Sequence, residues 1–188
     1  MSETKYNADY IFKCTAADRV FIPSMAIPFY YHIYSKGKVP SEVEFFDLFI
    51  KMYCGANRIT KDDYSSISTI YVKEIIHRSY PSFIRDFHFY LLLSEDAFFD
   101  SVSYSVRSDV AYGIAISVKK DGHTYTIGVF LESAKSRSFL QEKMSSVDIP
   151  ISVQFDKTSA YQVGKFSLCG KDHVDLVKFS VSSPISKW

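Results

Sequence analysis

The sequence predicts an α+β domain of α/β/α-like type, with a helical N-terminal part and then a mixed β-sheet core in the order α-β-β-β-α-β. Three observations predict it. Ser41 and Glu44 form an S-x-x-E capping box, each side chain placed to satisfy the other's orphan backbone N–H, ahead of apolar residues at helical spacing. Residues 101–132 alternate apolar and polar positions with period two and double back at Asp121-Gly122, the strongest hairpin signal in the chain. A polar, helix-prone run then leads into a further alternating stretch, Asp148 to Phe155.

Taken in order, residues 1–40 read as irregular and aromatic, because Pro23, Pro28 and Pro40 interrupt any long element. Within them the run Phe29-Tyr30-Tyr31-His32-Ile33-Tyr34 fits a short strand or a buried helical turn. Its aromatics either pack against the domain or offer stacking platforms for bases. The first helix starts near Ser41, carries Val43, Phe46, Phe49, Ile50 and Tyr53 at helical spacing, and stops at Gly55. A second runs from about Ser65 to His77, with Ile67, Ile70, Tyr71, Ile75 and Ile76 on its apolar side. Pro81 ends it and pushes Tyr80 to an extended conformation. Ser82 caps a third helix carrying Phe83, Phe87, Tyr90 and Leu91, and Leu91-Leu92-Leu93 buries it on more than one side.

The strands follow as Ser101–Val106, Tyr112–Lys120 and His123–Glu132. On the second, Ile114, Ile116 and Val118 share one face and Ala115 and Ser117 the other. On the third, Tyr125, Ile127, Val129 and Leu131 oppose Thr126, Gly128, Phe130 and Glu132. Ser133 or Ser136 caps a helix through Phe139, Leu140 and Met144. Thr158–Cys169 reads as a further strand or hairpin, and Lys171–Val181 fits either helix or strand. The chain thus divides into an aromatic-rich, mostly helical part, 1–80, packed on an α/β core with a C-terminal β-rich extension, 81–188, the two making one compact unit.

Composition bounds the partners. The 188 residues are 47% hydrophobic and 23% charged, an ordinary globular balance, and 14 Tyr with 16 Phe supply a large core. The net charge of +1 argues neither for nor against nucleic acid. From Ser101 onward, however, eleven Lys or Arg stand against eight Asp or Glu, so the β-rich half is mildly basic. Cys14, Cys54 and Cys169 are far apart and form no CxxC pair, which excludes a disulfide framework or zinc site and reads as buried, reduced thiols. The polar N-terminus lacks an apolar signal-peptide core, and no run approaches the roughly 20 apolar residues of a membrane span. The expectation is a soluble, cytoplasmic protein without a membrane partner.

Several chemistries have no support. There is no P-loop, no G-x-G-x-x-G fingerprint and no G-x-S-x-G elbow. His32, His77, His88, His123 and His173 are scattered and form no H-x-x-x-H pair; His88, on an aromatic helix, reads as a satisfied core histidine.

The element order from Ser82 to Phe155, with Glu132 closing the third strand and Lys135 following it, resembles the core of the restriction-endonuclease-like, or PD-(D/E)XK, nuclease superfamily. In that superfamily an acid on the second strand joins an acid and a lysine at the end of the third, and the two acids hold divalent metal. The resemblance implies a Mg2+- (or Mn2+-) dependent endonuclease that hydrolyses DNA phosphodiesters, with Glu132 and Asp109 as metal ligands and Lys135 as the catalytic lysine. It also implies a possible homodimer or larger complex.

Two departures bear on this. The spacing Glu132-Ser133-Ala134-Lys135 is one residue longer than E-x-K, so Lys135 needs a bulge or a helical turn to reach the site. Position 115, where the pattern expects Asp, holds Ala115. Either Asp109 does that work, or the domain is an inactive relative kept for binding, or the alanine replaces an aspartate to block cleavage. Lys119, Lys120, Arg137 and Lys143 are candidates for phosphate contacts, and Asp86 or Glu95 for an outer carboxylate. The alternative to an enzyme is a non-catalytic module binding nucleic acid or protein on a degenerate nuclease or other α+β fold, in which these charges solvate strand ends.

Overall fold

The computed structural model describes residues 24–57, 66–112, 114–131, 149–156 and 160–183. Its elements are α1 (Ala26–Lys36), α2 (Glu42–Asn57), α3 (Ser66–Glu95), β1 (Ser101–Tyr104), α4 (Val106–Tyr112), β2 (Ile116–Lys120), β3 (His123–Leu131), β4 (Pro150–Phe155), β5 (Tyr161–Val163), β6 (Phe166–Leu168) and α5 (Lys171–Ser182). The fold is α+β, with a helical N-terminal part and a mixed four-stranded sheet in the order β1-β2-β3-β4. β1, β2 and β3 are antiparallel neighbours and β4 runs parallel to β3. A parallel pair cannot be joined by a tight turn, and residues 132–148, which include the helix expected after Glu132, lie outside the described residues.

The 30-residue helix α3 is the spine. Its first half packs with α1 and α2 in a hydrophobic cluster of Phe29, Phe45, Phe49, Ile76 and Tyr80. Phe29 is fully buried at its centre, stacked on Phe83 at 5.2 Å and edge-on to Phe45 at 5.8 Å. Burying one such ring stabilises the fold by roughly 1.5–3 kcal/mol. The second half covers one face of the sheet through Phe89 and Leu93, against Ile116, Val118, Ile127 and Val153. From α5, Val174, Val177 and Val181 complete that cluster.

Several expectations are corrected. Residues 26–36 form one helix, so the aromatic run 29–34 takes the helical alternative and not the strand, and the surrounding stretch is not irregular: Pro28 sits in the first turn of α1, where no backbone N–H is required of it, and Gly37 closes the helix at φ 64°. α2 opens on the expected box, with Ser41 N donating to Glu44 Oε2 at 2.8 Å and Glu44 N to Ser41 Oγ at 3.2 Å. Its buried stripe is Phe45 and Phe49, while Val43 is 70% exposed, and the helix continues through Gly55 to Asn57. Pro81 does not divide two helices; it lies inside α3 and Tyr80 is helical. Packing overrides the missing hydrogen bond, because Ile76, Tyr80 and Phe89 anchor the helix on both sides of Pro81 and the buried Tyr80 hydroxyl donates to Pro40 O at 2.6 Å.

β1 stops at Tyr104 and β2 starts only at Ile116, with α4 between them. The Asp121-Gly122 turn forms as expected, both residues at positive φ, 49° and 81°. Residues 161–168 make the small β5–β6 hairpin, and 171–182 resolve as helix. His173 caps that helix, its Nδ1 accepting from Gly170 N at 3.1 Å. Burial holds the His173 imidazole below its ordinary pKa. His88 is only partly buried, and its Nδ1 has no partner among the described residues, so it is not the satisfied core histidine expected. Burial lowers its pKa, with Glu95 pulling the other way.

Candidate functional site

The site is assembled around Ser105. Its N–H donates to Ala115 O at 2.8 Å, extending the β1–β2 ladder by one rung. Its carbonyl accepts Asp109 N at 2.9 Å and its Oγ accepts Ser108 N at 3.1 Å, which starts α4 as an N-cap does. One residue thus ties the first turn of α4 to the edge of β2 and brings Asp109 to Ala115.

Both residues line a pocket with Asp86, Ile114, Ile116, Ile127, Gly128 and Val129. Its interior volume is small, about 30 Å3, behind an open mouth. α3 supplies Asp86, α4 supplies Asp109, and β2 and β3 supply the floor. Ala115 is 8% exposed, so its methyl group presents no polar function there. Gly128, on β3, adds no side chain either.

The electrostatics are local and strong. Arg85 is 8% exposed and pairs with Asp86, Nε and one terminal nitrogen each 2.9 Å from Oδ1. Burial pushes the Asp86 carboxyl above its ordinary range, against the pull of Arg85. Asp86 nevertheless keeps 33% of its side-chain surface accessible. Tyr104, next to α4, is pushed far above the ordinary phenol value by burial and then by the charge of Asp109.

The structure therefore brings together Asp109, Ala115 and Asp86, three of the positions singled out in the sequence. It does not bring Lys119 and Lys120 to them. Lys120 lies four strand residues from Ile116, roughly 13 Å away, and sits 3.8 Å from both Asp100 and Asp121, with its ammonium over Phe98. Glu95 lies nine residues beyond Asp86 on α3, about 13 Å along the axis. Glu132, Lys135, Arg137 and Lys143 lie outside the described residues.

Asp86 and α4 carry weak sequence signals. The signal for α4 was present: Ser105, with polar residues at 108 and 109, can cap a short helix, but the Ser/Val alternation from 101 onward reads as strand.

Hard divalent cations take oxygen ligands, and Mg2+ commonly binds through one or two carboxylates plus water and phosphate oxygens. Asp86 and Asp109 are the two carboxylates that line the pocket. Among the described residues no three His, Cys, Asp or Glu side chains converge as a metal cage. No family model, curated protein or solved structure matches the chain. No helix of the described residues is long and apolar enough to cross a membrane.

Proposed function

We propose that the chain is a metal-dependent nuclease hydrolysing phosphodiesters of DNA, with its site in the pocket between α3, α4 and the sheet. The observation that carries this reading is the convergence of Asp86 and Asp109 on Ala115, beside a β1-β2-β3 meander with a parallel β4. In this reading Asp109 and Glu132 would hold Mg2+ or Mn2+, Asp86 would add an outer carboxylate, and Lys135 would be the catalytic lysine. The chemistry such an ion would supply is activation of water and neutralisation of phosphate charge. Arg85 pairs with Asp86, and Ile114, Ile116 and Ile127 line the same pocket.

The test is cleavage by the purified protein with Mg2+ or Mn2+, and its loss in Asp109→Asn, Glu132→Gln and Lys135→Ala. Absence of cleavage by both the native chain and Ala115→Asp, with either metal, on duplex, single-stranded and RNA substrates, would leave the reading without support. A second reading, a non-catalytic binding module, is favoured by the methyl group at 115. It expects nucleic-acid or protein binding that is indifferent to metal.

A further inference from the structure

α5 is fastened at two points of different chemistry. Toward its C-terminal end Lys178 pairs with Asp96, just beyond α3, and its ammonium lies 5.9 Å from the centroid of the Phe98 ring. Lys178 holds the Asp96 carboxyl below its ordinary range, so this pair stays ionised in mild acid. At the other end stands His173, 6% exposed. Its ring centroid is 5.7 Å from that of Phe155 on β4 and, edge-on, 6.4 Å from that of Phe89 on α3. The proposed site makes no use of it.

His173 N donates to Gly170 O at 3.1 Å, and Gly170 N donates to His173 Nδ1 at 3.1 Å. The second bond requires Nδ1 without a proton. A proton there sets donor against donor, and it places positive charge at a helix N-terminus and among apolar rings, both unfavourable. Of the charged groups around the ring, Arg85 on α3 opposes protonation and Asp172, beside it on α5, favours it. Asp86 is paired with Arg85, and Asp175 lies toward Lys178. β4 carries no titratable side chain. Burial pushes the Cys169 thiol, just before α5, up to about 12, so it stays neutral. Burial, ahead of these charges, keeps the imidazole below its ordinary 6.5.

We propose that His173 is an acid-sensitive latch: a proton on Nδ1 frees the first turns of α5, and the buried Cys169 beside them, from Phe155 and Phe89, while the Lys178–Asp96 pair keeps the far end of the helix attached. The neutral ring holds the latch closed above its ordinary pKa. As the pH falls below 6.5 the released state takes up a proton that the docked state does not. Docking then weakens by up to about tenfold per pH unit until the docked ring itself titrates. The latch does not depend on the nuclease reading.

Cys169 reports the release, because it is fully buried in the docked state. The full chain is treated with a pyridyl disulfide, which labels thiols in mild acid, and the peptide containing Cys169 is followed by mass spectrometry. Dividing its labelling rate by that of the urea-unfolded chain at the same pH removes the pH dependence of the thiol itself. Between pH 7.5 and pH 5.0 the protection of Cys169 is expected to fall about tenfold or more, with the far-UV circular dichroism nearly unchanged. His173→Gln offers Gly170 N–H an acceptor that takes no proton, so its protection should hold within about twofold over the same range. Unchanged protection in the native chain, or an equal fall in His173→Gln, would overturn the latch. Loss of the whole helical signal together with protection would overturn it too, by showing global unfolding. Should His173→Gln not fold, the native chain decides by NMR: the His173 ring must titrate in step with the exposure of Cys169, and titration at a different pH overturns the proposal.

Discussion

The Arg85 guanidinium lies 5.1 Å above the Phe155 ring while it holds Asp86 Oδ1 at 2.9 Å. A charge on α3 is thereby fixed against the end of β4, and the neighbouring carboxylate is fixed with it. Arg85→Met keeps most of the apolar stem but leaves Asp86 without a counter-charge. Removing one partner of a buried pair costs about 3–5 kcal/mol, and the partial exposure of Asp86 reduces this to about 2 kcal/mol. Burial already raises the Asp86 carboxyl, and loss of Arg85 raises it further. A carboxyl whose folded-state pKa is raised destabilises the fold above that pKa and is relieved as the pH falls through it. The deficit of Arg85→Met should therefore be largest at neutral pH and should narrow toward pH 4. Urea titrations of both proteins at the two pH values check this, and a deficit independent of pH would count against it.

The capping box of α2 makes a second pH-dependent contribution, of opposite sign. Lys38 and the Ser41 hydrogen bonds bring the Glu44 carboxyl down to about 2 from its ordinary 4.5. A carboxyl whose folded pKa is depressed contributes stability that is present above the unfolded value and lost as the pH falls through the folded one. The contribution of Glu44 is thus fully present above pH 4.5 and disappears toward pH 2. Ser41→Ala should cost about 1 kcal/mol near neutrality. Glu44→Gln should flatten the acid limb of the stability profile between those pH values, as followed by circular dichroism.

Pro81 is exposed in the interior of α3, where it lacks the N–H that the helix ladder requires. Since tertiary contacts rather than local preference hold the helix there, Pro81→Ala should stabilise the protein by about 1–3 kcal/mol. A rise in urea midpoint with an unchanged slope would show it. An unchanged or lower midpoint would mean that the chain relaxes around the proline without loss.

These elements show what was legible in the sequence. Asp121-Gly122 and the Ser41/Glu44 box are encoded in two or four adjacent residues, and both form as read. The antiparallel meander follows from period-two alternation between such markers. Pro81 was misread because its local preference is opposed by the packing of Ile76, Tyr80 and Phe89, which no short window displays. Phe45 displaced Val43 from the core for a similar reason: neighbouring apolar residues leave the phase of a helix open until its partner, here Phe29, is in place. Asp86 and Asp109 lie 23 positions apart on different helices, and only the fold places both at Ala115. The hydrogen bonds of Ser105 that achieve this depend on where β2 begins, which alternation alone does not fix.

Ala115→Asp tests the pocket most directly. The native methyl group is buried beside Asp86 and Asp109, so an aspartate there places a third carboxylate in the same pocket. Without a counter-charge, desolvation and like-charge repulsion should cost about 2 kcal/mol or more, lowering the melting temperature by roughly 4–8 °C for a chain of this size. A divalent cation, if the three carboxylates hold one, would reverse that loss: an ion present at a hundred times its Kd stabilises the folded state by about 2.7 kcal/mol. Melts of Ala115→Asp in EDTA should therefore fall well below the native protein, and Mn2+ should return them to it or above, with a smaller effect on the native chain. The double variant Ala115→Asp/Asp109→Asn separates the contributions, because removing one carboxylate relieves the repulsion and weakens the response to Mn2+. If Ala115→Asp is destabilised and Mn2+ leaves it so, the pocket does not gather a cation, and the acidic residues around Ala115 serve the packing of α3 and α4 on the sheet.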